Sequence, residues 1–478
     1  MRKKQLPYPA PPVTITDKPV RLNQKKHLQL LIDHITGVIQ LGIKVAKFGG
    51  SSVADRIQLE KMRKIITADA DRRYVVVSAP GKRFDGDNKI TDLLYLCLTQ
   101  MENNIPCDQI FQVICDRFTA VKLNLGIDID LSEDFDEIRE RMSNGAPRDY
   151  VVSRGEYLSA KIVAAYLGYD FVDTEGLIIF DKRGRVKLDE TDEKLAAALK
   201  DHERAVLPGF YGTSEVTGEI KTFSRGGSDI TGSLVARAVK ADIYENWTDV
   251  SGFLMADPRI VKDAKPIGNI SYMELRELSY MGASVLHEDA IYPVRLAKIP
   301  INIRNTNKPE DQGTIITAEH DPADKRVITG IAGNKDFTVI AIYKNTLNKE
   351  IGFVRRLLSI IEDHRINFEH IPTGIDTVSI IISNKEIEDK LDDVMEDIEA
   401  QLKPDNIDVY TDIALIATVG CGMSFRPGVS ATMFNALAEQ NINIRMIDQG
   451  SSEMNIIIGV ANRDFETAIR TIYAAFTD

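Results

Sequence analysis

VAKFGGSSVAD, residues 45–55, carries a short apolar run into a lysine and then, within five positions, into two glycines and two serines. Gly49 and Gly50 remove side chains where a backbone can come close to a ligand, Ser51 and Ser52 add hydroxyls, and Lys47 adds a point charge, a set that suits phosphate. The spacing is that of neither common nucleotide loop: G-x-x-x-x-G-K-[ST] carries its lysine after the glycines, and G-x-G-x-x-G is absent. Outward from this stretch, short β-rich runs alternate with helical ones. IKVAKF is followed by a predicted helix near 55–68, a strand YVVVSA at 74–79 and a helix from about Thr91, and the alternation continues through 151–250. Such alternation predicts βαβ units around a buried, mainly parallel sheet with helices on its faces. VAKFGGSS and VVVSAPGK both fall where strands end, the place open α/β sheets collect ligands.

The chain has 478 residues, enough for two to four domains at about 100 to 200 residues each. Its 44% hydrophobic and 27% charged residues are those of a globular protein, and no apolar run approaches the ~18 residues of a membrane span. A net charge of −12 argues against a broad nucleic-acid surface while leaving room for a local basic pocket. Cys97, Cys107, Cys115 and Cys421 form no C-x-x-C pair, as expected of a reducing cytoplasm. Residues 1–43 begin with basic residues and a proline cluster where a signal peptide would place its apolar core, and they read as an extension without an assigned role.

The last third repeats itself. A gapless shift of 76 residues sets Ile340-Ala341 on Ile416-Ala417, Gly352 on Gly428, Ile366-Asn367 on Ile442-Asn443, Gly374 on Gly450, and Ile380-Ile381-Ile382 on Ile456-Ile457-Ile458. Each copy reads strand, Gly, helix, strand (INFEHI; INIRMI), turn, strand, helix. Two tandem α+β modules of this size are expected to cover their open faces against each other.

Four further stretches in the first 300 residues concentrate glycine, hydroxyl and charge. VVSRGEYLSAKIVAAYL (151–167) sets Arg154, Gly155 and Glu156 at the expected mouth of a helix with Leu158, Ile162, Ala165 and Tyr166 on its apolar face. TFSRGGSDITGSLVARAV (222–239) runs a glycine-rich turn into a helix, whose unpaired N–H groups favour an anion. There Arg225 adds a bidentate partner for carboxylate or phosphate, and Asp229 is either functional or an N-cap. ENWTDVSGFLMADPRI (245–260) carries Thr248, Asp249 and Arg259, and YMGASVLHEDAI (280–291) is an expected helix with His287 near its charged end. No H-E-x-x-H, Cys/His cluster or S-x-x-K supports a zinc or serine hydrolase.

KFGGSSV, SRGE, RGGSDIT, WTDVSGF…ADPR and MGASVLH, in this order and followed by a duplicated module, resemble the aspartate kinases of the amino-acid kinase family, with tandem ACT modules behind the kinase domain. The resemblance implies a three-layer α/β/α kinase domain over 44–330 and ferredoxin-like ACT modules over 331–402 and 403–478. It implies transfer of the ATP γ-phosphoryl group, with Mg²⁺, to the side-chain carboxylate of L-aspartate, giving 4-phospho-L-aspartate. Lys47 with the Gly49 and Gly50 amides would stabilise the moving phosphoryl. Arg225 would hold the substrate α-carboxylate and Glu156 its ammonium, with Ser51, Ser228, Asp229, Thr91 and Phe210 completing the pocket. Thr248, Asp249 and Arg259, with Lys47, would face the nucleotide, and no dedicated protein metal ligands are expected. Lysine or threonine would act as effector near Gly352, Phe353, Glu369 and Thr373, in a homo-oligomer paired through ACT modules. Two departures stand out: Ser284 replaces an expected lysine, for which Lys262 or Lys265 could substitute, and Glu288 follows His287. The alternatives are a family member acting on glutamate, acetylglutamate or UMP, and an amino-acid sensor with weakened catalysis; no homoserine dehydrogenase domain is expected downstream.

Overall fold

The computed structural model of the protein describes residues 42–283, 286 and 288–477. The extension over residues 1–41, and Ser284, Val285 and His287, lie outside the described residues. The run that ends at Lys47 and Phe48 is strand β1 (Lys44–Phe48), and the helix Arg56–Thr67 follows, entered through Asp55, whose carboxylate accepts the Gln58 amide. The strands that follow are β2 (Arg72–Val77), β3 (Asp170–Phe171), β4 (Ile179–Phe180), β5 (Ala205–Pro208), β6 (Tyr211–Ser214), β7 (Ile220–Thr222), β8 (Ile243–Thr248), β9 (Asn269–Ser271), β10 (Ile301–Asn305) and β11 (Thr314–Thr317). Eight of them form one sheet in the order β3-β5-β2-β1-β8-β10-β11-β9, parallel except where β10 meets β11. The carboxyl ends of β5, β2, β1, β8 and β10 therefore open on the same side.

The period of two assigns the faces. Ala46, Phe48, Val75, Val77 and Trp247 pack on Leu59 and Met62 of the Arg56–Thr67 helix and on Ala160 and Val163 of the Arg148–Leu167 helix. Val45, Val76 and Tyr244 pack on the other face, with Leu234 and Val235 of the Gly227–Ala238 helix. Lys47 and Asn246, in step with Val45 and Tyr244 and paired in register, share that second face. Beside the sheet, the helices Ile90–Glu102, Asp108–Leu125 and Ser132–Ser143 close a separate core around Leu94, Phe111, Ile114 and Ile138.

Two expectations are corrected here. The helix expected to open at Arg154 starts at Arg148, directly after Pro147, so SRGE lies in its interior, and Ala165 faces solvent. Residues 280–291 are not one helix: Tyr272–Tyr280 ends at the start of the stretch and Glu288–Leu296 begins near its end.

The repeats build a single antiparallel sheet from β12 (Gly330–Tyr343), β13 (Thr377–Ser383), β14 (Asn406–Val419), β15 (Met446–Asp448) and β16 (Asn455–Ala461), in the order β13-β12-β14-β16-β15. One matched pair of glycines has a shared cause: Gly352 (φ 79°) and Gly428 (φ 92°) each open a helix, Phe353–Asp363 and Val429–Glu439, from the left-handed region. INFEHI does not form the expected strand and contributes only a His370–Ile381 bridge, whereas INIRMI forms the short β15. β12 and β14 pair along nearly their whole length, and only Phe337–Tyr343 of β12 meets β13, while only Ile413–Val419 of β14 meets β16. The start of β12 thus belongs with the second half of the sheet and the start of β14 with the first, so packing does not divide at residue 402. The first module's core (Ile340, Leu357, Ile380, Val394) is closed on itself, while the second's (Ile416, Met433, Ile458, Phe465) is continuous with that of the parallel sheet.

Candidate active site

At the end of β1 the Lys47 ammonium, buried, lies 2.5 Å from Asp229 Oδ1. Asp229 is the third residue of the Gly227–Ala238 helix, whose N-cap is Gly226, so its carboxylate is a partner of Lys47 and not the cap. Asn246 Nδ2 donates to the same oxygen at 2.7 Å, and the Tyr244 hydroxyl donates to the Asp229 carbonyl at 3.0 Å.

The glycines act by letting chains touch. A Cβ on Gly50 would stand 2.9 Å from the Ala79 carbonyl, and one on Gly81 would stand 2.8 Å from the Gly50 carbonyl carbon. The two loops are joined by Gly81 N–H donating to the Gly50 carbonyl at 2.8 Å. Gly49 departs from expectation: its amide donates to the Trp247 carbonyl at 3.0 Å, so it is not free for a phosphoryl group. Ser52, buried, shares a 2.8 Å hydrogen bond with Thr306, whereas Ser51 is exposed. Arg117 secures the 81–88 loop from behind, donating to the carbonyls of Asn88 and Gly81.

Gly155 brings the Arg148–Leu167 helix against this loop, since a Cβ there would lie 2.8 Å from Ala79 Cβ and 3.1 Å from Ile90 Cγ2. Glu156 is thereby buried beside Ala79, whose amide donates to it. Burial pushes the carboxyl up to about 8, against the pull of that amide, of Arg154 and of Lys47. Its Oε2 has no hydrogen-bond partner among the described residues. Arg154 itself is stacked among Tyr150, Tyr157 and Tyr211, 4.5, 4.6 and 5.3 Å from their ring centres. Thr91 sits beside Ile90 in the first turn of the Ile90–Glu102 helix.

The far wall is the turn after β5. A Cβ on Gly209 would lie 2.6 Å from Ser228 Cβ, and one on Gly227 would lie 2.7 Å from the Phe210 ring. Phe210 holds φ 80°, a conformation a bulky residue adopts only when its surroundings impose it; its amide donates to Thr231 Oγ1 at 3.1 Å. Arg225 is exposed in the turn two residues before the helix. Glu156, Ala79, Gly50, Lys47, Asp229, Ser228 and Phe210, linked by these contacts and by their chain neighbours Gly49, Gly209 and Gly227, form one rim around the strand ends.

Other expected residues stand apart or are differently engaged. Thr248 ends β8 and donates to Asp249 Oδ1 at 3.2 Å, one residue beyond the carbonyl that holds Gly49. Arg259 is exposed, grips Asp257 of its own turn at 2.6 Å and borders a cavity with Gly333 and Phe465. Lys265 donates to the Thr477 carbonyl at 2.7 Å, and Lys262 is exposed. In the first module Phe353 is core, 2% exposed, and its amide donates to the Glu350 carbonyl, so its side chain cannot line an open effector site. Gly352 opens that helix, Thr373 bridges Val378, and Glu369 accepts the Tyr280 hydroxyl of the parallel-sheet region. Sequence reasoning does not single out Gly81, Arg117, Gly209 or Asn246 as site residues; the signal for Asn246 is a polar residue set between Tyr244 and Trp247 in the strand IYENWT.

The amino acid kinase family model matches residues 42–305 and an ACT domain model matches residues 416–476. Aspartokinase 3 of Bacillus subtilis is 38% identical over 449 residues, covering 91% of this chain and 98% of its own. The crystal structure of Clostridium acetobutylicum aspartate kinase superposes with a TM-score of 0.86 at 51% identity, covering 91% of this chain and all of that one. E. coli aspartokinase III is similar over 91% of this chain both with aspartate and ADP bound (TM-score 0.67, 26% identity) and with lysine and aspartate bound (0.70, 25%).

Proposed function

This chain belongs to the amino acid kinase family, and within it to the aspartokinases, ATP-dependent kinases acting on the side-chain carboxyl of aspartate, and from that premise we propose how its residues perform the transfer. The acceptor carboxylate, with an ordinary pKa near 4, is already ionised at neutral pH and requires no base. One of its oxygens forms a bond to the γ-phosphorus while the bond from that phosphorus to the ADP oxygen breaks, leaving 4-phospho-L-aspartate and ADP. The protein's task is to align two anions and to offset the charge moving between them.

Lys47, held by Asp229, meets that charge, together with the Gly50 amide; Gly49 serves by lacking a side chain, since its N–H is spent on Trp247. Glu156 takes the substrate ammonium, and Arg225, in its exposed turn, closes on the α-carboxylate. Ser51, Thr91, Phe210 and Ser228 complete the acceptor pocket, with Thr248 and Asp249 toward the nucleotide. Mg²⁺, which leans chiefly on phosphate oxygens, would travel with ATP and neutralise its charge; Asp229, shared between Lys47 and Asn246, and Glu156, largely protonated when empty, form no carboxylate cage. Lysine or threonine acts on the regulatory sheet through Glu369, and Ile351 (96% exposed) and Phe425 (90%) support pairing of copies there. No helix among the described residues is long and apolar enough to cross a membrane.

The observation that carries this reading is the Lys47–Asp229 pair standing beside a buried carboxyl with one oxygen unmatched. Hydroxylamine trapping of acyl phosphate, with ATP, Mg²⁺ and aspartate, tests it. Lys47→Ala should lower turnover by about 10²- to 10³-fold without loss of fold, and a wild-type rate in that variant refutes the assignment. Glutamate, acetylglutamate and UMP should give no comparable ATP consumption. Glu369→Ala should weaken inhibition by lysine or threonine with turnover preserved, and unchanged inhibition would remove the first module's carboxylate from that role.

A further inference from the structure

We propose that Asn246 is a positioning residue for phosphoryl transfer, holding Asp229 so that Lys47 is fixed in place yet keeps its charge directed at the reactants. The inference rests on the reading of Lys47 as the group that meets the phosphoryl charge. Asn246 is 3% exposed in the middle of the sheet, directly across from Lys47 in the β1–β8 register. A polar side chain at such a position has to be matched, and its match is Asp229 Oδ1, the same oxygen that faces the Lys47 ammonium. One carboxylate oxygen therefore receives a charged and a neutral donor from two adjacent strands. That arrangement has a chemical consequence. A carboxylate held by Lys47 alone would be free to turn and would draw the ammonium fully onto itself. With the Asn246 amide carrying part of the interaction, the carboxylate is oriented by the sheet and no further charge enters the site. An aspartate here would do the opposite, placing a second carboxylate against the first.

Asn246→Asp is the informative variant because it keeps size and shape. The titratable groups facing position 246 are Lys47 from β1, Asp229 from the Gly227–Ala238 helix and Tyr244 two positions earlier on β8; β10 presents Ile303, which is apolar. Two carboxyls in contact share a proton more readily than two distant ones. At low pH the new group donates its proton to Asp229 as the amide did, and at high pH both ionise and compete for Lys47. The ratio of variant to wild-type kcat should therefore rise as pH is lowered from roughly 9 to roughly 6. Asn246→Leu, which supplies no donor at any pH, should run about 10-fold slower, the cost typical of an outer partner, with a ratio independent of pH. In both variants KM for aspartate should stay close to that of wild type, because neither touches the substrate. A wild-type kcat and pH profile in Asn246→Asp, or a wild-type kcat in Asn246→Leu, overturns the proposal. Lys47→Ala separates the two levels: if it retains turnover the reading of Lys47 fails, whereas its inactivity beside wild-type-like Asn246 variants removes Asn246 alone.

Discussion

Glu156 is a carboxyl enclosed by protein whose second oxygen meets no donor among the described residues, and burial, which disfavours the charge, pushes it up to about 8. An ammonium group needs the ionised form, so aspartate binding should expel a proton wherever the empty site still holds one. Apparent affinity for aspartate should then climb by up to about tenfold per pH unit below pH 8 and level off above it. Steady-state KM across that range checks the slope, and Glu156→Gln should raise KM and flatten it; a KM in wild type that ignores pH sinks the assignment. The sign for the empty protein is opposite: the folded state keeps a proton that the unfolded chain has lost, so this group's contribution to stability is full below about 4.5 and gone above about 8. The sequence exposed the residue but not its state. SRGE read as a helix mouth, where a glutamate is ordinary, because the helix in fact starts at Arg148 and carries Glu156 inward against Ala79. Lys47 was legible as a charge beside glycines, while the loss of the Gly49 amide to Trp247 was not, since that bond joins residues almost 200 positions apart.

At the scale of elements, the site exists because glycines let loops and helices meet: Gly50 on Gly81, Gly155 on Ala79, Gly209 on Ser228. Gly81→Ala would force the loop after β2 off the loop after β1, for its Cβ would fall 2.8 Å from the Gly50 carbonyl carbon. The stability cost is that of modest overpacking, about 1–3 kcal/mol. The catalytic cost should be larger in proportion, about 10²-fold in kcat, because a shift of about 1 Å spoils the alignment of the reactants. Thermal melts and turnover measured together decide it; an unchanged kcat in a stably folded Gly81→Ala would show that the loop contact does not set the geometry. Sequence alternation located these strands and turns, and the 76-residue echo located the regulatory repeats through matched landmarks that include Gly352 and Gly428, which share a positive φ. It did not show that β12 and β14 each serve both halves of one sheet, because strand pairing depends on partners far along the chain. Nor did it show INFEHI failing as a strand while its counterpart forms β15, a difference of tertiary context and not of local pattern.

Across the whole molecule, one short helix, Tyr272–Tyr280, touches the regulatory sheet at three heights. Glu274, buried, accepts the Cys421 amide at 2.8 Å and the Thr329 hydroxyl at 2.6 Å, Glu277 accepts Asn455 Nδ2 at 2.7 Å, and the Tyr280 hydroxyl donates to Glu369. The Glu274 and Glu277 bonds tie the helix to the segments flanking β12, β14 and β16 on the second module's side, and the Tyr280 bond ties it to the first. An effector whose ammonium takes the Glu369 oxygen that Tyr280 holds displaces Tyr280, and the helix so released ends at the MGASVLH stretch. Two states that differ in this one contact would be bound unequally by the effector, which is what allosteric coupling requires. Tyr280→Phe removes the competitor without touching the catalytic rim. Half-inhibition by lysine or threonine should then fall to a concentration about threefold to tenfold lower, the scale of the net contribution of one ordinary hydrogen bond, while uninhibited kcat stays at the wild-type value. If Glu369→Ala weakens inhibition but Tyr280→Phe leaves the half-inhibiting concentration where it was, the signal leaves the first module by another route, and the helix is only a strut.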